Sequence, residues 1–280
     1  MKLLTRRSPA ADKQWRRGQR ASRRWALWGG ALGLLIGAIA FLPASWLTGP
    51  LQNATGGRLL LADARGTAWS GSALTVLTGG ADSRDAAALP DRLHWRLSPR
   101  WNGLDAVLRQ DCCLRGEVAV ALRPSWQGMT LSLPARPEGI GQWPAQWLAG
   151  LGTPWNTLQL GGAIRLMTPG FSLQTFSGRL LMNGSLDVEL LSVTSRVSPV
   201  EPLGSYRLNL RADGSSGESA AITLDTEGGA LRLNGTGQWT GSRLRFRGEA
   251  RAAEGQEVGL ANLLNIIGRR QGALSVISIG

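Results

Sequence analysis

The chain has one histidine, one tyrosine, two cysteines and no lysine beyond Lys13. Each scarcity excludes something. A zinc site or a Ser-His-Asp triad needs partners that a lone His94 does not have. His94 also alternates with Arg92 and Arg96, whose charges oppose both a bound cation and its own protonation. No Gly-x-Ser-x-Gly elbow, Walker lysine or HExxH pattern is present. Carboxylates are scattered, with no motif that pairs them for general acid–base work. The expectation is therefore a protein that is not an enzyme, with no cofactor and no metal. Cys112 and Cys113 are adjacent, in RQDCCLRGE. A disulfide between them, bonds to a partner chain and two free thiols are the alternatives, and an oxidising compartment favours the first.

Acidic residues are also few, 19 against 31 basic ones, which suggests a nucleic-acid binder until the positions are read. Residues 1–24 hold nine of the basic side chains and one acid, Asp12, leaving 22 basic and 18 acidic residues after Arg24, a balance of +4. A surface so nearly neutral does not supply the field that nucleic acid requires, so no nucleic-acid partner is expected.

Directly after that tail, residues 25–47 (WALWGGALGLLIGAIAFLPASWL) carry no charge. The run is long enough for a hydrocarbon core of ~30 Å, with Trp25, Trp28 and Trp46 at the headgroup layers. The reading is a single membrane-spanning helix over 25–47, with a cytoplasmic basic tail (1–24) and the bulk of the chain on the other side. A cleaved signal peptide ending at Ala38-Ile39-Ala40 is the alternative, but the basic region is long and the apolar run exceeds a typical signal core. Gly29, Gly33 and Gly37 recur at i, i+4 and i+8, a small-residue groove along which a second helix can pack.

Residues 48–57 (TGPLQNATGG) read as a linker of turn formers. Beyond them, period-two alternation dominates. Leu244, Phe246 and Ala250 share one face of RLRFRGEAR, while Arg243, Arg245, Arg247, Glu249 and Arg251 share the other. Tyr206, Leu208 and Leu210 alternate with arginine and asparagine, and Leu93, Trp95 and Leu97 with Arg92, His94 and Arg96. These are half-buried antiparallel strands. Gly-containing pairs at 183–184, 213–214 and 234–235 read as hairpin turns. The predicted fold is mostly β: a curved antiparallel sheet over 58–280, with two sub-halves divided near 134–156. Short helices are expected near 143–151 and 257–268. In the second, Leu260, Leu263, Leu264 and Ile267 form the apolar stripe and Gly268 is placed for a left-handed cap. The terminal ALSVISIG reads as a paired strand.

The pattern Gly-Gly-x-apolar-x-Leu occurs at 56–61, 161–166 and 228–233, followed twice by Trp-x-Gly-Ser (Trp69–Ser72, Trp239–Ser242). It reads as a reused strand–turn–strand device, with Trp69 a core anchor and Gly71 a bend or bulge.

LADARGTAWSGSA (61–73), LGTPWNTLQLGG (151–162), PLGSYRLNL (202–210), GTGQWTGSRLRFRGEA (235–250) and NLLNIIGRRQGALSVISIG (262–280) carry a resemblance. In their order and spacing the chain resembles type II secretion system protein N, the general secretion pathway N protein of Gram-negative bacteria. The resemblance brings Trp69, Gly71, Tyr206, Trp239, Gly241, Leu263, Leu264 and Gly268 forward as signature or core positions. It implies an inner-membrane accessory component that assists export of folded proteins from the periplasm. Its partners would be inner-membrane subunits of that machinery, and it implies no catalytic residues. A weaker, architectural likeness to AsmA-like membrane-anchored β proteins implies an alternative, a sheet whose apolar face binds lipid.

Overall fold

A computed structural model describes the backbone of residues 9–80, 82–126, 128–176, 179–213, 217–241 and 243–280, and their side chains outside 9–24 and 213. The start of the basic tail, the Gly214 end of the 213–214 pair and Ser242 lie outside the described residues. The chain divides into two units, Met1–Pro43 and Ala44–Gly280.

In the first unit, helix α1 covers Pro9–Ala40. It therefore takes in part of the basic tail and stops short of Leu47. Pro43 is the reason: it has no N–H to donate, and its ring disfavours helical backbone at the preceding residue. The uncharged helical stretch Trp25–Ala40 rises about 24 Å, below the ~30 Å of a hydrocarbon core. Among the described residues no helix is long and apolar enough to cross a membrane. The side chains of Trp25, Leu27, Trp28, Leu32, Leu34, Leu35, Ile36 and Ile39 are nevertheless all exposed.

The second unit opens with a 3-10 turn, Ala44–Leu47, and a short helix α2, Thr48–Ala54, so most of the expected linker is helical. Among the described residues, fifteen strands follow in one antiparallel sheet. They are β1 Leu59–Gly66, β2 Ser70–Thr78, β3 Ala86–Arg100, β4 Gly103–Arg109, β5 Val118–Ser125, β6 Gly128–Leu133, β7 Arg136–Pro144 and β8 Leu160–Phe176. The rest are β9 Arg179–Ser195, β10 Gly204–Asp213, β11 Ser219–Gly228, β12 Leu231–Thr240, β13 Arg243–Ala252, β14 Arg269–Gln271 and β15 Leu274–Ile279. A 3-10 segment Ala145–Leu151 and helix α3 (Trp155–Leu158) connect β7 to β8, and helix α4 (Glu257–Ile267) connects β13 to β14. Neighbouring strands run in chain order, except that β7 pairs β8 alongside β6 and the sheet ends β13-β15-β14. The sheet is open: β1 is one edge and β14 the other. The sheet continues from β6 and β7 to β8, with residues 145–159 forming a connection outside it near the expected division at 134–156. The terminal segment is paired between β13 and β14.

Several turn signals lie elsewhere than expected. Asn183-Gly184 and Asn234-Gly235 are inside β9 and β12. Gly184 (φ 90°) pairs with Phe171 beside the irregularity between Met167 and Gly170 of β8, and a Cβ there would collide with the Gly170 carbonyl oxygen. At Gly235 the requirement is room, since a Cβ would stand 2.4 Å from the Phe246 ring. Gly268 caps α4, but its backbone is extended (φ −171°, ψ −175°), not left-handed. The chain passes straight into β14, and a Cβ there would meet the Val276 carbonyl at 2.6 Å. Glycine is thus fixed by close approach rather than by conformation.

Candidate functional site

Antiparallel register decides which side chains share a face. Leu104, Ala106 and Leu108 of β4 stand opposite Leu122, Val120 and Val118 of β5. Leu122 and Leu131 continue the row to β6, and Leu131 and Leu133 meet Leu173 and Phe171 of β8. Leu186, Val188 and Leu190 of β9 oppose Leu210, Leu208 and Tyr206 of β10. Ile222 faces Gly237, and Ala250, Gly248 and Phe246 meet Ser275, Ile277 and Ile279. The result is one face from β4 to β15 with no charged side chain at these positions.

Only one end of that face is covered. The 3-10 segment, α3, α4 and the 196–203 loop all follow or precede strands at the same end of the sheet. They supply Ala145, Leu158, Leu203, Leu260, Leu263 and Leu264 to a buried cluster with Leu160, Val193, Tyr206, Leu231 and Ala250. Tyr206 is 2% exposed, and its hydroxyl donates to the Leu231 carbonyl at 3.0 Å. Burial pushes the phenol's pKa up. A second cluster joins Ala106, Val118, Val120 and Ile140, and a third joins Ala44, Ala73 and Trp95.

Toward the opposite end, among the described residues of this unit, no helix or long loop returns over the sheet. Leu104, Leu122, Leu173, Leu208, Leu210, Ile222 and Leu244 are half-buried and belong to none of the three clusters. The strand connections at that end carry Trp101 (97% exposed) and Trp126 (104%), and β8 ends there on Phe176 (39%). Among the described residues of this unit the apolar face, here termed the trough, is packed at one end and uncovered at the other. Periodicity alone reveals the face but not how far it is covered. The exposed Trp101 and Trp126 fall outside every alternating segment read from the sequence.

The opposite, polar face is tied together by ion pairs. Glu189, its side chain 8% exposed, accepts from Arg207 at 2.7 Å and from Arg165 at 3.3 Å, and Arg207 also reaches Glu227 at 2.6 Å. These contacts raise the Arg207 pKa, the hydrogen bond to Glu189 most of all. Asp105 accepts from Arg123 and Arg100, and Asp63 from Arg92 and Arg65. Those guanidiniums hold both carboxyls below the usual carboxylate range. A hollow of about 410 Å³ on this side is lined by His94, Arg96, Arg109, Asp111 and Glu117 among others. Asp111 is engaged by Arg109 at 2.8 Å, and His94 itself is exposed.

The sequence-predicted positions are distributed as follows. Gly29, Gly33 and Gly37 lie along α1 with open space beside each. Cys112 and Cys113 are joined in a disulfide within the β4–β5 connection, with Cys113 buried. Trp69 is only half-buried and lies outside the clusters, so it does not anchor a core. Trp95 does: it is 6% exposed, and its Nε1 donates to the Ala68 carbonyl at 3.1 Å. Gly71 is a paired residue of β2, not a bulge, and the irregularity lies across in β1 between Ala62 and Arg65. A Cβ on Gly71 would fall 2.7 Å from the Trp95 ring, so glycine makes room for that anchor. Gly241 (φ 64°) does turn the chain between β12 and β13, and Trp239 on the trough face is half-buried. The repeated motif therefore serves two different local structures.

The family model described as Type II secretion system (T2SS), protein N matches residues 57–276. No curated protein and no solved structure matches the chain.

Proposed function

Since that match spans most of its length, the chain belongs to the type II secretion system protein N family, and from this we propose that it is a non-enzymatic inner-membrane accessory component of the secretion machine. On this reading the apolar 25–47 segment anchors the chain, the basic tail stays in the cytoplasm, and the sheet works in the periplasm. The carrying observation is the family match, which takes in the sheet from just before β1 to β15. The chemistry asked of the protein is contact: helix packing along Gly29, Gly33 and Gly37, and partner binding by the sheet. In-cell crosslinking of the full chain should capture inner-membrane subunits of the secretion apparatus. Replacing the three glycines by leucine should reduce their recovery, and unchanged recovery would remove the groove from the model.

A second reading is supported by the half-covered trough: a membrane-anchored sheet that holds a lipid acyl chain along its open apolar end. Mass spectrometry of lipid extracted from the purified chain tests it. Recovery of stoichiometric phospholipid, lost on replacing Leu210 and Ile222 by glutamate, supports this reading. Lipid-free protein, or retention unaffected by those changes, defeats it.

A further inference from the structure

The last strands stand outside the ion-pair network of the polar face. β12, β13, β14 and β15 hold seven arginines (Arg232, Arg243, Arg245, Arg247, Arg251, Arg269, Arg270) and one carboxylate, Glu249. All seven are exposed, and among the described residues no ion pair engages any of them. Arg232 stands directly opposite Arg251, a like-charge pair that disfavours the folded sheet. On β13, Arg243, Arg245 and Arg247 repeat on one face every ~7 Å. On the neighbouring strands β8–β11, Arg165 and Arg207 meet Glu189 and Glu227, and Arg179 meets Glu218. Arg211 is the one left there without an ion pair among the described residues, so across β8–β15 the unpaired arginines concentrate at this border.

The same border is an unfinished edge. β14 pairs only with Leu274–Val276, while β15 continues against β13 to Ile279. On the side away from β13, Ile277, Ser278 and Ile279 have no neighbouring strand among the described residues. Open main-chain groups on a β-branched strand are a template for another strand, and proteins ordinarily blunt such an edge. Here Arg245, Arg247 and Arg269 frame it instead. The uncharged residues that share this face with the arginines include Asn234, Thr236, Gln238, Leu274, Val276 and Ser278. Leu274 and Val276 are half-buried and none of the six is aromatic, so no exposed large apolar group is there to enter a headgroup layer and the face suits a polypeptide better than a bilayer.

We propose that the β15 edge takes an extended acidic segment of a partner protein as an added strand, its carboxylates meeting Arg245, Arg247 and Arg269. Main-chain pairing supplies register, and guanidinium–carboxylate contacts supply selectivity. This rests on the protein-contact reading above and gives that contact a place and a chemistry.

The test uses the full chain in nanodiscs of zwitterionic lipid and a short fluorescent peptide of alternating Val and Glu. The expected result is salt-sensitive binding, absent for the alternating Val and Lys peptide, with slowed amide exchange over residues 274–279. Arg245→Glu with Arg247→Glu should weaken binding by at least ~10-fold, while Arg96→Glu on β3 leaves it unchanged. The proposal is overturned by no binding, by binding without protection at 274–279, or by equal loss in the Arg96 variant. It is overturned equally if phosphatidylglycerol vesicles protect this border and the peptide does not, which assigns the arginines to a membrane. Retained peptide binding with no capture of secretion subunits would defeat the functional reading while leaving this edge intact.

Discussion

Truncating Leu264 should cost several times more stability than truncating Leu210, although both are leucines on the apolar side of the sheet. Leu264 lies in α4, is fully buried, and sits in the largest cluster. Removing its three outer carbons forfeits the transfer energy and leaves a cavity that α4 and the strands cannot both close. The cost is ~3 kcal/mol, within the 2–5 kcal/mol range for such sites. Leu210, on β10 near the open end, is half-buried and outside every cluster. Water can fill the space its side chain leaves, so no cavity penalty applies and only part of the transfer energy is lost, ~1 kcal/mol or less. Urea unfolding of the full-length protein in mild detergent, followed by tryptophan fluorescence, compares the two through their midpoints at unchanged slope. Equal losses would mean that the open end of the trough is packed, and the reasoning about its coverage would fail.

Gly71→Ala should destabilise by ~2 kcal/mol, because the new methyl collides with the Arg65 carbonyl at 2.6 Å and the Trp95 ring at 2.7 Å; a neutral effect in the same unfolding assay would contradict this packing. Tyr206→Phe leaves the Leu231 carbonyl without its buried donor and should cost ~1–2 kcal/mol, readable as a lowered midpoint. Replacing both Cys112 and Cys113 by serine should change stability by only ~1 kcal/mol, since a bond between adjacent residues constrains almost no unfolded chain; a larger loss would give the bond another role. The Asp105 carboxyl is held below its unfolded pKa by Arg123 and Arg100. Its contribution is therefore present above the unfolded value of ~3.9 and is lost as pH falls through the depressed one. An Asp105→Asn variant should show a shallower acid limb in a pH series of unfolding midpoints, and an unchanged limb would sink the assignment.

How much of this was legible in the sequence depends on what alternation can encode. RLRFRGEAR announced its two faces correctly, with Phe246, Gly248 and Ala250 buried and the arginines exposed. The α4 stripe was legible for the same reason, because Leu260, Leu263 and Leu264 return to one side of a helix. Local composition misled where tertiary space made the decision. Gly235 and Gly268 look like turn residues, yet they are required by a ring and a carbonyl on other strands. Trp69 and Trp95 are both flanked by small or alternating residues, and only the third dimension places Trp95 over Gly71. Within the expected linker, the Gly and Pro of TGPLQNA suggest turns, but Pro50 falls in the first turn of α2, where a missing N–H costs nothing. Coverage of the trough leaves no trace in any single strand, since it depends on where three distant connections fold back.

The near-sequential strand order has a consequence of its own. Almost every strand bonds to the one made just before it, so each hairpin can be laid down as soon as it emerges, without waiting for distant sequence. On the proposed topology, in which the chain is delivered across a membrane from its N-terminal end, assembly and delivery would run in the same direction. The exceptions are the β13-β15-β14 border and β7 beside β8, so the C-terminal edge is both the last part of the sheet to be made and the part left incomplete. Such an architecture also lengthens or shortens by whole hairpins, each bringing its own strip of apolar face, while the rest of the sheet keeps its register.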